Sequence, residues 1–303
     1  MLIPHKHCQL VIGIQTSQGV EASGTLWSIP LPEGFELTNQ QNYSFFQYAG
    51  GHYDLKWYET GGQWVEGTIR MPAIPGYLGG ASTDLSNWMW GRSGDYNQGY
   101  YATIYRDMGN SLVECYLDCV CTGGTIAVDF GAEYAALDLN VTGIAAPTSA
   151  TITDEDDSLF QIRPYRFSEA SLTLEAACDV TRNHTLTWDN MVESPADMGV
   201  LNGSTYPYAL PNNALAQWTG SFDKLFTDSS TVYSRFLAGT ESKYTLTLTR
   251  SAVATCVINM PRIIYTENPL SAPGDGIVRE EGINFQALGS TDGSTDACTI
   301  TET

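Results

Sequence analysis

The sequence predicts a mainly β protein made of two tandem β-sandwich or half-barrel domains, each with one short α-helix on the outside. Three observations carry this. Gly and Tyr are abundant while only 16% of residues are charged, a composition that suits turn-connected strands better than helices. Several stretches alternate apolar and polar residues with the two-residue period of a half-buried strand. The chain also resembles itself: the order strand, short capped helix, strand, strand, loop, strand occurs twice.

The self-match pairs 66–71, 81–91 and 101–146 with 219–225, 227–239 and 244–290. It aligns Gly67 with Gly220 and Tyr101 with Tyr244. A further match sets "DLKWYE" against "TLTWDN", centred on Trp57 and Trp188. The boundary falls near "APTSATITDEDDS" (146–158), which combines Pro, Ser, Thr and a run of acids. The first domain is thus 26–148, the linker 149–158, and the second domain 159–303 with an insertion near 190–215. Asp154, Glu155, Asp156 and Asp157 lack the alternating carboxylates and glycine of an EF-hand loop, so they read as solvated linker.

In the first helix Ser82, Thr83 or Asp84 can cap, and Leu85, Trp88 and Met89 share a face. In the second, Asp228 or Ser229 can cap, and Val232, Phe236 and Leu237 form the corresponding set. Such faces cover a sheet, so Trp88 and Trp90 read as core or interface residues. In 113–119, Val113, Cys115, Leu117 and Cys119 oppose Glu114, Tyr116 and Asp118. In 136–142, Leu137, Leu139 and Val141 oppose Asp138, Asn140 and Thr142. Leu246 and Leu248 oppose Thr245, Thr247 and Thr249, and Ile283 and Phe285 oppose Asn284 and Gln286. Each sheet then has one dry face and one wet, polar-to-acidic face.

The chemistry implied is sparse. A formal charge of −20 opposes the basic phosphate contacts that nucleic-acid binding needs. It is compatible with a wall along which DNA slides without sticking. No apolar run is long enough for a membrane span, and the start lacks the pattern of a signal peptide. Seven cysteines is an odd count without framework spacing, which fits a reduced, intracellular chain. None of His5, His7, His52 or His184 lies in a catalytic motif, and no nucleophile elbow, Walker loop or dinucleotide fingerprint occurs. His184 reads as a loop or strand-end residue, and His5 and His7 as part of a mobile terminus. The chain therefore reads as a non-enzyme with no cofactor and no metal.

The stretch "SLVECYLDCVCTGG" sets Cys115, Cys119 and Cys121 close together. On a strand, same-face neighbours are about 7 Å apart, whereas a tetrahedral zinc needs every sulfur about 2.3 Å from one point. These cysteines therefore read as small buried hydrophobes on the dry face.

Two segments, "LVECYLDCVCTGGTIAVDFGAEYAALDLNVTGIAAPT" and "CVINMPRIIYTENPLSAPGDGIVREEGINFQALGSTDG", resemble the phage tail tube (major tail) proteins. The resemblance is to the long type with two tail-tube domains. The early "IGIQTSQGVEASGT" is similar to that family's extended N-terminal arm, assigned to residues 1–25. The resemblance implies a structural virion protein, assembled in the host cytoplasm, whose homotrimeric pseudo-sixfold rings stack into a tube. It also implies contacts with the tape measure and tail-end proteins, and DNA passing through without specific binding. On that reading Glu114, Asp118, Asp138 and Asn140 line the lumen. Ring or subunit contacts would come from Trp88 and Trp90, from the Gly-rich turn at Gly61 and Gly62, and from the loop holding Pro269 and Pro273. The competing reading is a duplicated β-sandwich binding module of a phage fibre or adhesin.

Overall fold

The computed structural model describes residues 9–30, 35–46, 57–79, 83–90, 100–108, 112–144, 148–152, 155–157, 161–175, 177–178, 181–193, 216–225, 231–251, 254–271, 279–289 and 296–303. The first half runs β1 (Gln9–Ile14), β2 (Leu26–Ile29), β3 (Phe35–Phe46), β4 (Trp57–Pro72), α1 (Thr83–Trp90), β5 (Ala102–Asp107), β6 (Val113–Val128), β7 (Ala136–Gly143), β8 (Thr148–Ser149) and β9 (Glu155–Asp156). The second runs β10 (Ala170–Thr173), β11 (Ala177–Cys178), β12 (Thr181–Asp189), β13 (Gln217–Leu225), α2 (Thr231–Ala238), β14 (Ser242–Ser251), β15 (Ala254–Glu267), β16 (Leu270–Ser271), β17 (Arg279–Ala287) and β18 (Thr299–Glu302). The fold is mainly β, and the strands join into one sheet. Among the described residues every ladder is antiparallel except β2–β9.

The ladders of the two halves repeat. The pairs β3–β4, β4–β7, β5–β6 and β6–β7 are matched by β12–β13, β13–β17, β14–β15 and β15–β17. The pair β1–β5 is matched by β10–β14. Even the irregularities recur. The register shifts between Ala102 and Ile104 as it does between Ser242 and Tyr244, and between Cys121 and Gly123 as between Tyr265 and Glu267. These shared bulges fix which residues correspond.

Gly67 and Gly220 do correspond: Gly67 lies between Leu37 and Val141, and Gly220 between Leu186 and Phe285. Neither site has room for a side chain. A Cβ on Gly67 would lie 1.8 Å from the Glu36 carbonyl oxygen, and one on Gly220 would lie 2.3 Å from the Phe285 ring. The other sequence matches shift. Tyr244 pairs with Met260 as Ile104 pairs with Tyr116, so its counterpart is Ile104, not Tyr101. Trp57 opens β4, whereas Trp188 lies on β12, the counterpart of β3. Aromatic identity misled the alignment there; hydrogen-bond register decides it.

The halves join edge to edge. Beyond the end of β5, β6 pairs with β12, running from Val128 opposite His184 to Gly123 opposite Asp189. Behind this seam Trp90, Trp188 and Trp218 cluster with ring centroids 4.7 to 5.7 Å apart. The Trp188 indole N–H and the Asn190 amide both donate to the Met89 carbonyl, at 3.1 and 3.2 Å. The Glu302 carboxylate adds a second tie, accepting the Leu78 and Gly79 amides at 3.0 and 3.1 Å and the Tyr165 hydroxyl at 3.0 Å. One apolar core, from Leu10 to Ile300, runs through both halves.

Several expectations change. Residues 9–14, assigned to an extended arm, form β1, hydrogen-bonded between β2 and β5 with Leu10, Val11 and Ile12 fully buried. An apolar strand with partners on both edges is core, whatever its place in the chain. Glu155 and Asp156 of the acidic linker pair with Leu26 and Trp27. Gly61 and Gly62 lie within β4, where the register shifts between Gln41 and Tyr43, and so mark a bulge instead of a turn. Leu237, placed on the apolar face of α2, is exposed. The candidate caps Ser82, Asp228 and Ser229, the residues His5, His7, His52 and Pro273, and the insertion from 194 to 215 lie outside the described residues.

Candidate functional site

The strand order β3–β4–β7–β6–β12–β13–β17–β15 forms an unbroken antiparallel run across both halves. Side-chain alternation gives this run one buried face and one open face. Leu37, Val65, Ile69, Leu137, Leu139, Leu186, Phe222, Ile283 and Phe285 are buried in the core on one side. The open side carries Glu36 and Thr38 from β3, Glu66, Thr68 and Arg70 from β4, and Asp138 and Asn140 from β7. Thr185, Thr187 and Asp189 continue it on β12, and Asn284 and Gln286 on β17.

Each half forms a shallow depression on this face, and the two are the same place in the repeat. In the first half it is lined by Glu36, Thr38, Glu66, Gly67, Thr68, Thr122, Asn140 and Thr142. In the second, Thr185, Thr187, Thr219, Gly220, Ser221, Thr266, Asn284 and Gln286 take those positions. The lining is hydroxyl and amide with acids added in the first half. Thr68 donates to Asn140 at 3.3 Å, and Thr125 and Thr187 hydroxyls meet at 3.3 Å across the seam. Asn284 donates to Glu267 at 2.7 Å. Arg70 stands 3.9 Å from Asp138 with both side chains well exposed, so this pair contributes little to stability.

The four carboxylate and amide residues singled out from the sequence separate here. Asp138 and Asn140 lie on the open face. Glu114 does not: it lies on the N-terminal part of β6, ion-paired with Arg106, and accepts the Tyr116 hydroxyl at 2.8 Å. Asp118 is buried and accepts the Gly19 amide at 2.7 Å. Burial raises its carboxyl above the usual carboxylate range. The sequence missed a bulge. Asp118 has φ 56°, and the β5 register shifts beside it, so alternation breaks there.

The same bulge re-sorts the cysteines. All three are buried free thiols, but Cys115 packs with Val11, Tyr105 and Val113, while Cys119 and Cys121 join the main core with Tyr116. Burial, reinforced by Glu21, pushes the Cys115 thiol up to about 11, and burial pushes Cys121 up to about 12. Neither is poised for nucleophilic or metal chemistry. Among the described residues, no group of three or more His, Cys, Asp or Glu is placed to hold a metal ion.

His184 is a buried residue of β12, at the position where the ladder with β6 begins, so of the loop and strand-end readings the loop is excluded. Its ring meets the Thr181 hydroxyl at 3.0 Å and the Tyr244 hydroxyl at 3.3 Å, and it stacks between Phe167 and Phe222. Trp88 and Trp90 are buried inside the chain. Their indole N–H groups donate to the Cys119 and Leu78 carbonyls, each at 2.9 Å. Trp90 packs against Trp188 and Trp218 at the seam between the halves, and Trp88 is part of the core that runs through both. Pro269 is exposed between β15 and β16.

The described residues form a mainly β chain with a repeated half and a long open polar face, and comparison with known families gives it a context. The family model described as phage tail tube protein matches residues 6–287. The chain belongs to the phage tail tube protein family. Comparison with curated proteins finds no match. A tail tube protein is a structural component of the virion tail that assembles into a tube. Among the described residues of this family member, no helix is long and apolar enough to cross a membrane.

Proposed function

We propose that the chain closes into rings that stack into the tail tube, with the open polar face of the β3-to-β15 run turned toward the bore. The continuity of that face across both halves carries the reading. A barrel wall needs one face that packs on protein and one that tolerates water along its whole width. The two equivalent depressions show the same hydroxyl and amide chemistry. Each half is read as one tail-tube domain, so three chains give a ring of pseudo-sixfold symmetry. The repeated ladders support this count.

DNA passes along this wall without specific binding. Thr, Asn and Gln offer no fixed cations to phosphates, Arg70 stands beside Asp138, and Glu36, Glu66 and Asp189 repel them. Of the lumen candidates, Asp138 and Asn140 remain, and Glu114 and Asp118 drop out. The tape measure and tail-end proteins are the expected partners, and assembly takes place in the host cytoplasm.

Electron microscopy of the purified protein tests the ring reading, which expects tubes of uniform bore. The lumen reading is tested by Glu66→Lys with Asp138→Lys in the phage. Tubes should still form while DNA release slows. Ejection at the wild-type rate would remove these residues from the bore.

A further inference from the structure

The repeat is incomplete at its two ends. Strand β6 is flanked on both edges along its length: Cys115 lies between Tyr105 and Thr148, and Ile126 between Leu137 and Leu186. The β15–β16 path is flanked on one edge by β18 and β17, and on the other by β14 only as far as Ile263. Beyond Ile263 that second edge carries no ladder among the described residues. It is the position β12 occupies on β6. At the other end β3, the counterpart of β12, is paired with β4 alone among the described residues.

Two exposed side chains mark the vacant edge. Leu270 follows Glu267 by the same count as Ile126 follows Gly123, and it faces Glu280 as Ile126 faces Leu137. Ile126 is 0% exposed under β12, whereas Leu270 is 44% exposed. Helices α1 and α2 are both eight residues long, and with their ends aligned Leu237 takes the place of Met89. Met89 is 0% exposed beneath the seam and Leu237 is 67% exposed. Large apolar residues left open where their counterparts are buried call for the missing neighbour.

We infer that the β16 edge of one copy pairs with the β3 edge of the next, repeating between chains the β6–β12 ladder within the chain. This rests on the ring reading above and adds its contact. Carried over residue by residue, the internal register sets Leu270 opposite Leu37 of the neighbouring copy and Pro269 opposite its Thr38. The backbone permits it. The Asn190 amide donates to the Thr122 carbonyl at 2.9 Å, which fixes which β6 residues point their amides at β12. By that parity Leu270 turns its N–H and C=O to the vacant edge. Pro269, which has no N–H, sits where none is needed. On β3 the Leu37 carbonyl already points outward and takes only a 3.4 Å contact from the Arg106 guanidinium. The contact joins two different edges, so it is heterologous and propagates into a ring when the angle closes.

The test joins Thr38→Cys and Pro269→Cys in one chain, with Thr38→Cys and Thr301→Cys as control, and adds Leu270→Asp and Leu270→Asn, each alone. Oxidation of assembled Thr38→Cys, Pro269→Cys protein should give covalent oligomers ending at one closed size, and the control should give none. Leu270→Asp sets a second carboxylate opposite Glu280 and lowers the melting temperature, whereas the neutral Leu270→Asn stays close to wild type. Both, still folded, should need about tenfold or more protein to assemble. Rings from wild type together with unimpaired Leu270→Asn assembly and no cross-link would overturn this contact and leave the ring reading standing. Wild-type protein that stays monomeric in all salt conditions would overturn both.

Discussion

The indole N–H of Trp188 donates to the carbonyl of Met89 at 3.1 Å, tying a strand of the second half to the helix of the first. The bond sits within a cluster that also holds Trp90 and Trp218. The two halves therefore share one interior, and damage at this seam should unfold both together. Trp188→Ala should cost about 3–5 kcal/mol, read as one cooperative denaturant transition shifted to lower midpoint. Two separate transitions would show that the halves fold independently.

The repeated glycines should differ in tolerance. At Gly67 the obstacle to a side chain is the Glu36 backbone, whereas at Gly220 it is the Phe285 and Leu186 side chains. Side chains can shift and a paired strand cannot. Gly220→Ala should cost about 1–3 kcal/mol, and Gly67→Ala more, as measured by thermal midpoints of the two variants side by side.

His184 gives the fold a sensitivity to acid. Burial lowers its imidazole from 6.5 to about 4, with Asp223 opposing the shift. The folded state thus favours the neutral ring. Its stability contribution is complete above about pH 6.5 and is lost as pH falls toward 4, on the order of 3 kcal/mol in all. His184→Phe should remove that component. The wild-type minus variant difference in unfolding free energy, followed from pH 7 to 4, should shrink by this amount.

Glu280 is fully buried where the first half has Leu137, and it holds Lys224 at 3.5 Å and the Asn268 amide at 3.0 Å. Glu280→Leu alone leaves a nearly buried ammonium without its carboxylate and should cost about 3–5 kcal/mol. Adding Lys224→Met should recover most of that loss in the same denaturant assay. A double variant as unstable as the single one would show that the pair itself supplies the stability.

The buried thiols predict silence. Cys115, Cys119 and Cys121 should resist a thiol reagent in the native protein and react together once it is unfolded. Rapid labelling of any one in the native state would contradict its burial.

The sequence by itself determined the class of the fold and its duplication. Strand periodicity is a local property, and the Gly67–Gly220 match survives because backbone and ring atoms fill the space where a Cβ would go. The alternation of Leu137, Leu139 and Val141 against Asp138 and Asn140 was legible for the same reason, since no bulge interrupts it. The tertiary structure decided the rest. A single left-handed residue, Asp118, reverses the facing of Cys119 to Cys121 until the second register shift before Gly123 restores it, and nothing in its identity announces that. Whether Trp88 and Trp90 seal the inside or meet a neighbour depends on where β12 lands, a pairing between residues far apart in the chain. The same non-local pairing singles out Leu270 and Leu237, which look like ordinary core leucines until no counterpart of β12 is found beside them among the described residues.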